Sequence, residues 1–291
     1  MSLKSTLKFL YEHPLTKTRP LAAIWRFATW QISSRLFPKP RVMSWIGGTK
    51  LWIKRGWTGI TGNYYAGLHE VNDMAFLLHL LRPGDVFVDV GANMGTYTVL
   101  ASGVCGAYSY SFEPIPSTFE RLQANVQLNQ LEKLTMVTKC AIGGQTGELR
   151  FTYREDTTNH VATETEQDVV IVPVKTLDDC VPQTPNLIKI DVEGFETEVL
   201  QGAQHYLAHP ALKAIIIELN GSGARYGYDE EVIHQKLLDL QFQACTYDPF
   251  HRKLQALSHF GNHNTIYCRD LEWINARLKE ADQIQVLHHH F

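Results

Sequence analysis

Negative charge is almost missing from the start of this 291-residue chain: residues 1–57 hold one acidic residue, Glu12, against eleven Lys and Arg. The remainder carries 29 acidic and 16 basic residues, so a net charge of −3 conceals a basic leader on an acidic body. A segment so one-sided is not a neutral linker. It docks on an anionic membrane, a nucleic acid or a phosphorylated substrate, or it packs against its own body. Cysteine is scarce and unpatterned: Cys105, Cys140, Cys180, Cys245 and Cys268 form no Cys-x-x-Cys pair. That excludes a disulfide framework or zinc knuckle and suits a reducing compartment. No apolar run approaches the roughly 20 residues that span a bilayer. The basic N-terminus lacks the apolar core and small-residue cleavage site of a secretory signal. Repeats and low-complexity tracts are absent as well. The expectation is a cytoplasmic protein, at most peripheral to a membrane.

What is present is an ordinary globular composition, 44% hydrophobic and 20% charged, sufficient for one large α/β core. Residues 1–20 read as polar, basic and loosely ordered. A helix is expected over 21–37, stopped by Pro38 and Pro40. Its face of Leu21, Ile24, Trp25, Ala28, Ile32 and Leu36 should pack, with Phe27 and Trp30 offering a second contact surface. Glycines between Arg41 and Tyr65 punctuate short apolar pieces at 42–46 and 51–53, which read as small antiparallel strands. A helix over 69–81 precedes Arg82-Pro83-Gly84. Strands then alternate with helices: strands at 86–90, 108–112, 135–140, 187–191 and 214–219, helices at 95–103, 116–129, 194–208 and 229–240. Strands at 242–247 and 265–269 close a mostly parallel sheet. The division follows: a 1–68 N-terminal α+β extension, then a 69–291 domain with a strand and loop insertion at about 147–175.

The most informative stretch is Val86-Phe87-Val88-Asp89-Val90-Gly91-Ala92-Asn93-Met94-Gly95. A buried strand breaks at an acid and a glycine turn, then restarts as a helix, and ligands of open α/β sheets dock at such a break. Gly91 and Gly95 allow close approach of backbone to ligand. Glu113 ends the next strand, where a carboxylate can take both ribose hydroxyls. The Gly-x-Gly that a pyrophosphate needs is missing. S-adenosyl-L-methionine has no phosphate and tolerates Asn93 in mid-turn, so it is favoured over NAD.

A second constellation is Leu187-Ile188-Lys189-Ile190-Asp191-Val192-Glu193-Gly194. A lysine inside an apolar strand must meet a carboxylate or reach a cleft. Asp191, with Glu218 at the end of the following strand, is a candidate general base or divalent-metal ligand. Asp191 and Glu193 are also the residues that would cap the following helix. His160, in the polar run Thr157-Thr158-Asn159-His160, is a candidate base, as is His263. Asn159 and Asn264 are candidates for hydrogen bonding to a polyol.

Three ordered motifs carry a family resemblance: Asp89-Val90-Gly91-Ala92-Asn93-x-Gly95-x-Tyr97-Thr98, Phe112-Glu113-Pro114-x-Pro116, and Leu187-Ile188-Lys189-Ile190-Asp191-Val192-Glu193-Gly194-x-Glu196. With Asn125, Asn129, Cys140-Ala141-Ile142-Gly143 and Val174-x-x-Leu177-Asp178, the chain resembles FkbM-type methyltransferases from about Gly84 to Glu218. The resemblance implies a class I S-adenosyl-L-methionine fold, a Rossmann-like and mostly parallel seven-stranded sheet with a terminal antiparallel strand. It implies methyl transfer to the hydroxyl of a small sugar- or polyketide-like acceptor. By it, Asp89, Gly91, Ala92, Asn93 and Gly95 hold the methionine end of the cofactor, Glu113 and Pro114 the ribose, and Cys140 and Ala141 the adenine. Asp191, Glu193, Glu218 and His160 are the catalytic candidates, with Asp191 and Glu218 the metal candidates. The rival reading is a non-catalytic module of the same fold, docked to a membrane or complex through residues 1–57. Nucleic acid is not an expected partner, because the body is acidic and no Asn-Pro-Pro-Tyr-like base-flipping motif occurs.

Overall fold

Short apolar runs at 86–90, 187–190 and 214–218 carry enough aliphatic side chains to be covered on both faces, which makes them the centre of a sheet rather than its edge. The computed structural model describes residues 3–154, 158–163 and 165–291; Thr157 of the polar insertion and the first two residues of the leader lie outside them. The leader comprises α1 (Leu3–Glu12), α2 (Pro20–Leu36), a hairpin of β1 (Arg41–Ser44) and β2 (Lys50–Ile53), and α3 (Thr58–Ala66). The body begins with α4 (Val71–Leu80), β3 (Val86–Val90), α5 (Thr96–Val99), β4 (Tyr108–Phe112), α6 (Pro116–Leu128) and β5 (Thr135–Thr138). Next come β6 (Ala141–Ile142), β7 (Gly147–Thr152), β8 (Val169–Lys175), α7 (Leu177–Cys180), β9 (Leu187–Ile190), α8 (Glu196–Gln201) and α9 (Gln204–Ala208). The chain continues through β10 (Ala214–Glu218), α10 (Glu230–Asp239), β11 (Gln243–Asp248), β12 (Lys253–Ala256), β13 (Asn264–Cys268) and α11 (Leu271–Lys279).

The main sheet has the order β12-β11-β13-β10-β9-β3-β4-β5. Its β10-β9-β3-β4-β5 portion is parallel, and β13 runs antiparallel between β10 and β11. This is a Rossmann-like α/β architecture, with the mostly parallel sheet and antiparallel strand that the family resemblance implies. The sheet has eight strands rather than the expected seven. The extra edge strand β12 is largely exposed, with no apolar run to announce it. The insertion forms a separate sheet, β6-β8-β7. The predicted helix over 194–208 is two helices, broken at Gly202. A Cβ there would stand 2.1 Å from the Gly143 carbonyl oxygen, so the break is a close backbone approach.

The leader departs most from expectation. Residues 3–12 are helical, and Leu10, His13, Leu15 and Thr16 are buried rather than loosely ordered. Leader residues Leu10, Trp30, Leu51 and Ile60 share one core cluster with Met94, Val99 and Leu122 of the body. In α2 the buried residues are Ala23, Trp30 and Ser34, whereas Leu21, Trp25, Ile32 and Leu36 face outward. The helix therefore packs through the side expected to be secondary. Side-chain amides fasten the leader to the body. Asn125 Oδ1 accepts from the Trp52 amide at 2.8 Å, and Asn129 both accepts from and donates to the Lys50 backbone at 2.7 Å.

Candidate active site

The strand order reverses between β3's neighbours β4 and β9, which opens a crevice at the carboxyl ends of these strands. The chain leaves β3 through Gly91 (φ +77°), Asn93 (φ +50°) and Gly95 (φ +83°). A Cβ on Gly91 would stand 1.9 Å from the backbone oxygen of Asp191, so the loops after β3 and β9 touch backbone to backbone. Only glycine permits both that approach and the left-handed conformation.

Asp89 lies beside Lys189 in the sheet register. Its Oδ2 accepts from Thr98 Oγ1 at 2.7 Å, and Thr98 is held in turn by Ser111. Its Oδ1 is buried with no partner among the described residues. Glu113, at the end of β4, accepts the Asn93 amide on Oε2 and the Ile115 amide on Oε1, both at 3.0 Å. Burial outweighs those bonds and pushes its carboxyl up to about 8. Each oxygen keeps a lone pair for a further donor. Ala92, Pro114, Cys140 and Ala141 line the same cavity, whose volume is about 510 Å³. That volume is suited to a small-molecule ligand.

The far wall is a charged network. Lys189 Nζ donates to Asp191 Oδ2 at 2.8 Å and stands 4.8 Å from the Tyr97 ring centroid. Burial opposes its charge, but Asp191, Glu70 and Asp89 outweigh burial and raise the ammonium pKa. Tyr97 donates to Glu70 Oε2 at 2.9 Å. Asn264 Nδ2 reaches Glu70 Oε1 at 3.0 Å and Asp73 Oδ2 at 3.2 Å. Asp191, Glu193 and Glu218 bring carboxylate oxygens within 4.8 Å of one another, a set able to share protons or hold a cation. Burial and then Asp191 push Glu193 up to about 7, and the same causes raise Glu218 well above a carboxylate's ordinary range. The metal candidates Asp191 and Glu218 are thus joined by Glu193, with the Lys189 ammonium already at Asp191.

His160 has both ring nitrogens engaged within the insertion, and its charge acts on Glu193. It is buried, its Nδ1 lies 2.9 Å from the Thr158 carbonyl and its Nε2 3.0 Å from Glu166 Oε1. It braces the insertion, while its neighbour Asn159 lines the cavity. His263 contributes its backbone carbonyl to the Leu219 amide. Sequence reasoning missed His69, Glu70, Asp73 and the leader's share of the wall: Phe27, Trp30, Arg55, Asn63 and Tyr65. His69 Nδ1 is buried without a partner among the described residues.

The buried carboxyls predict an unusual pH dependence. Glu113 and Glu218 hold protons in the folded state that the unfolded chain releases near pH 4–5. Where the folded state binds more protons, stability falls as pH rises. Between about pH 7 and 9, above the histidine range, the ligand-free protein should lose melting temperature, with the buried Cys105 and Cys140 thiols, also raised by burial, adding to the loss toward pH 9. Replacing Glu113 by Gln should shrink that loss. A flat or rising melting temperature across the window in the unmodified protein would refute the assignment.

The model of the methyltransferase FkbM domain matches residues 89–249, more than half of the chain. The chain belongs to the FkbM methyltransferase family. Among relatives, hexuronic acid methyltransferase AglP of Haloferax volcanii is 30% identical over 156 residues, covering 52% of this chain and 62% of that protein. Methyltransferase 1 of Beauveria bassiana is 28% identical, covering 53% and 72%. The 31-O-demethyl-FK506 methyltransferase FkbM of Streptomyces tacrolimicus is 37% identical over 89 residues, covering 30% and 34%. This chain thus spans less than two thirds of the Haloferax and Streptomyces relatives. The crystal structure of methyltransferase FkbM from Methylobacillus flagellatus KT overlaps 63% of this chain and 43% of its own, with a TM-score of 0.44 and 18% identity. S-adenosyl-L-methionine is the cofactor of the family, and the orphaned Asp89 oxygen suits its ammonium group.

Proposed function

We propose that the protein transfers a methyl group from S-adenosyl-L-methionine to a hydroxyl oxygen of a small glycosidic or polyketide-like acceptor. One observation carries this reading: a single cavity joins the 89–95 loop and Glu113 to the carboxylates of Asp191, Glu193 and Glu218. The cofactor supplies an electrophilic methyl group on a sulfonium. Asp89 Oδ1 would accept from the ammonium, Glu113 would take the ribose hydroxyls, and Pro114, Cys140 and Ala141 would flank the adenine. Asn93, Gly91, Ala92 and Gly95 shape the turn around the methionine end. An acceptor hydroxyl placed against the cluster gives its proton to a carboxylate, and Glu193, titrating at about 7, is matched to that task near neutral pH. The rest of the catalytic effect is alignment and exclusion of water. Lys189 beside Asp191 provides the positive charge that a metal ion would otherwise bring.

The acceptor end of the cavity suits a polyol. Phe27, Trp30 and Tyr65 bring apolar rings to the wall, while Arg55 and Asn159 bring hydrogen-bonding groups. The names of two relatives, a hexuronic acid methyltransferase and a 31-O-demethyl-FK506 methyltransferase, support a hydroxylated acceptor.

The test is ligand-induced thermal stabilisation followed by transfer of labelled methyl. S-adenosyl-L-methionine and S-adenosylhomocysteine should raise the melting temperature by mass action, NAD should not, and Glu113→Ala should weaken the response about tenfold or more. Labelled methyl should then appear on oxygen of glycosidic or macrolide acceptors. Stabilisation by NAD alone would defeat the reading. Stabilisation by the adenosyl ligands without transfer to any hydroxylated acceptor would favour the non-catalytic module.

A further inference from the structure

The outer face of α2 is apolar and uncovered. Leu21, Trp25, Ile32 and Leu36 repeat at helical spacing and are 80%, 70%, 62% and 69% exposed, and Phe37 extends the stripe at 65%. Scattered exposed hydrophobes are normal, but a contiguous stripe marks an interaction surface. The helix cannot turn this face inward, because the opposite side is committed: Ala23, Trp30 and Ser34 are buried, and Phe27, Trp30 and Gln31 line the active cavity. Apolar character on both sides of a helix means two apolar environments. One of them is the body.

The charges around the stripe identify the other. No Asp or Glu occurs from residue 13 to residue 69. Lys17 and Arg19 stand exposed before the helix, and Arg35 and Lys39 stand exposed at its end. A second cavity beside α2 is lined by Arg26, Ser33 and Arg41, and Arg41 Nε there has no partner among the described residues. Isologous pairing of two copies through this helix would oppose like charges at both ends, which is costly. An anionic lipid surface instead satisfies both features, taking the Leu and Trp side chains into its interface and the basic ends onto its headgroups. Among the described residues no helix is long and apolar enough to cross a membrane, and α2 has 17 residues. It is suited to lying on a bilayer, not spanning one.

We propose that α2 is an interfacial helix that docks the protein on an anionic membrane surface, with the acceptor cavity one helix thickness, about 10 Å, from the lipid. The experiment is flotation of the full chain with vesicles of phosphatidylcholine, alone or mixed with phosphatidylglycerol. Binding is expected only to the mixed vesicles and should weaken as salt rises. Trp25→Ser with Leu36→Ser should abolish it while leaving melting temperature and S-adenosylhomocysteine stabilisation unchanged, since both residues are exposed. Lys17→Glu with Lys39→Glu should lower partitioning by about 30-fold or more, and serves as an independent variant should the first misfold. Absence of binding to mixed vesicles overturns the proposal. So does equal, salt-insensitive binding to both vesicle types. A self-association in solution that Trp25→Ser with Leu36→Ser removes would assign the stripe to a second copy and overturn it equally.

Discussion

Gly91→Ala is expected to lower stability by about 3–5 kcal/mol, the upper range for single substitutions, and to abolish the response to S-adenosylhomocysteine. Two costs combine. The backbone at φ +77° lies where an L side chain is strained by about 1–2 kcal/mol. The new Cβ also meets the Asp191 carbonyl oxygen at 1.9 Å and its carbon at 2.9 Å. Those are backbone atoms of a central strand end, so relief requires parting the loops after β3 and β9, the two edges of the cofactor crevice. At roughly 2–4 °C per kcal/mol, the melting temperature should fall by about 6–20 °C. Gly48→Ala is the control: its φ is +83° but a Cβ there meets nothing within 4 Å, so it registers strain alone. Equal losses in the two variants would show that the loop contact has no special weight.

Asp191→Asn should reduce turnover by about 100-fold or more, the scale of impaired acid–base catalysis, because it disrupts the cluster that holds Glu193, while S-adenosylhomocysteine still stabilises the protein. The change keeps the shape but removes a negative charge from Lys189, Glu193 and Glu218 together. Lys189 keeps the fields of Glu70 and Asp89, so the fold should survive with a lowered melting temperature. Asp191 contributes to raising both Glu193 and Glu218. Any remaining activity should therefore keep its acidic limb to lower pH than the unmodified protein. A profile that loses amplitude without moving would mean that Asp191 acts only by positioning Lys189. Turnover within a few-fold of the unmodified protein would remove the cluster from the chemistry.

The crevice wall proposed for the cofactor was legible because its residues lie at strand ends that are local in sequence. Asp89, Gly91 and Glu113 sit at the ends of apolar runs, and strand ends meet at the crevice of any sheet wound this way. The other wall was not local. Asn264 meets Glu70 across 194 residues of chain, and nothing in the periodicity of either segment announces the other. Gly62 shows a different failure. Its setting among glycines read as a turn, yet it lies inside α3, where a Cβ would come within 2.4 Å of His69 Nδ1. The glycine serves proximity rather than bending. For α2, periodicity chose the face of Leu21, Trp25, Ile32 and Leu36, which is exposed; both sides are apolar, and only the placement of the body decided which was covered.

The amide links from Asn125 and Asn129 to β2 have a consequence for biogenesis. The same Asn125 that receives the Trp52 amide donates to the Met94 carbonyl at 2.8 Å, inside the cofactor turn. The leader leaves the ribosome before the body does, and its hairpin must wait for a partner 73 positions downstream. Until α6 has been made, the hairpin's edge is unpaired and the turn is missing one of its braces. Contacts of such sequence separation slow folding. Assembly of the cofactor turn is thus tied to a later event in synthesis, and nascent chains that end before α6 is complete are expected to be those most in need of protection from aggregation.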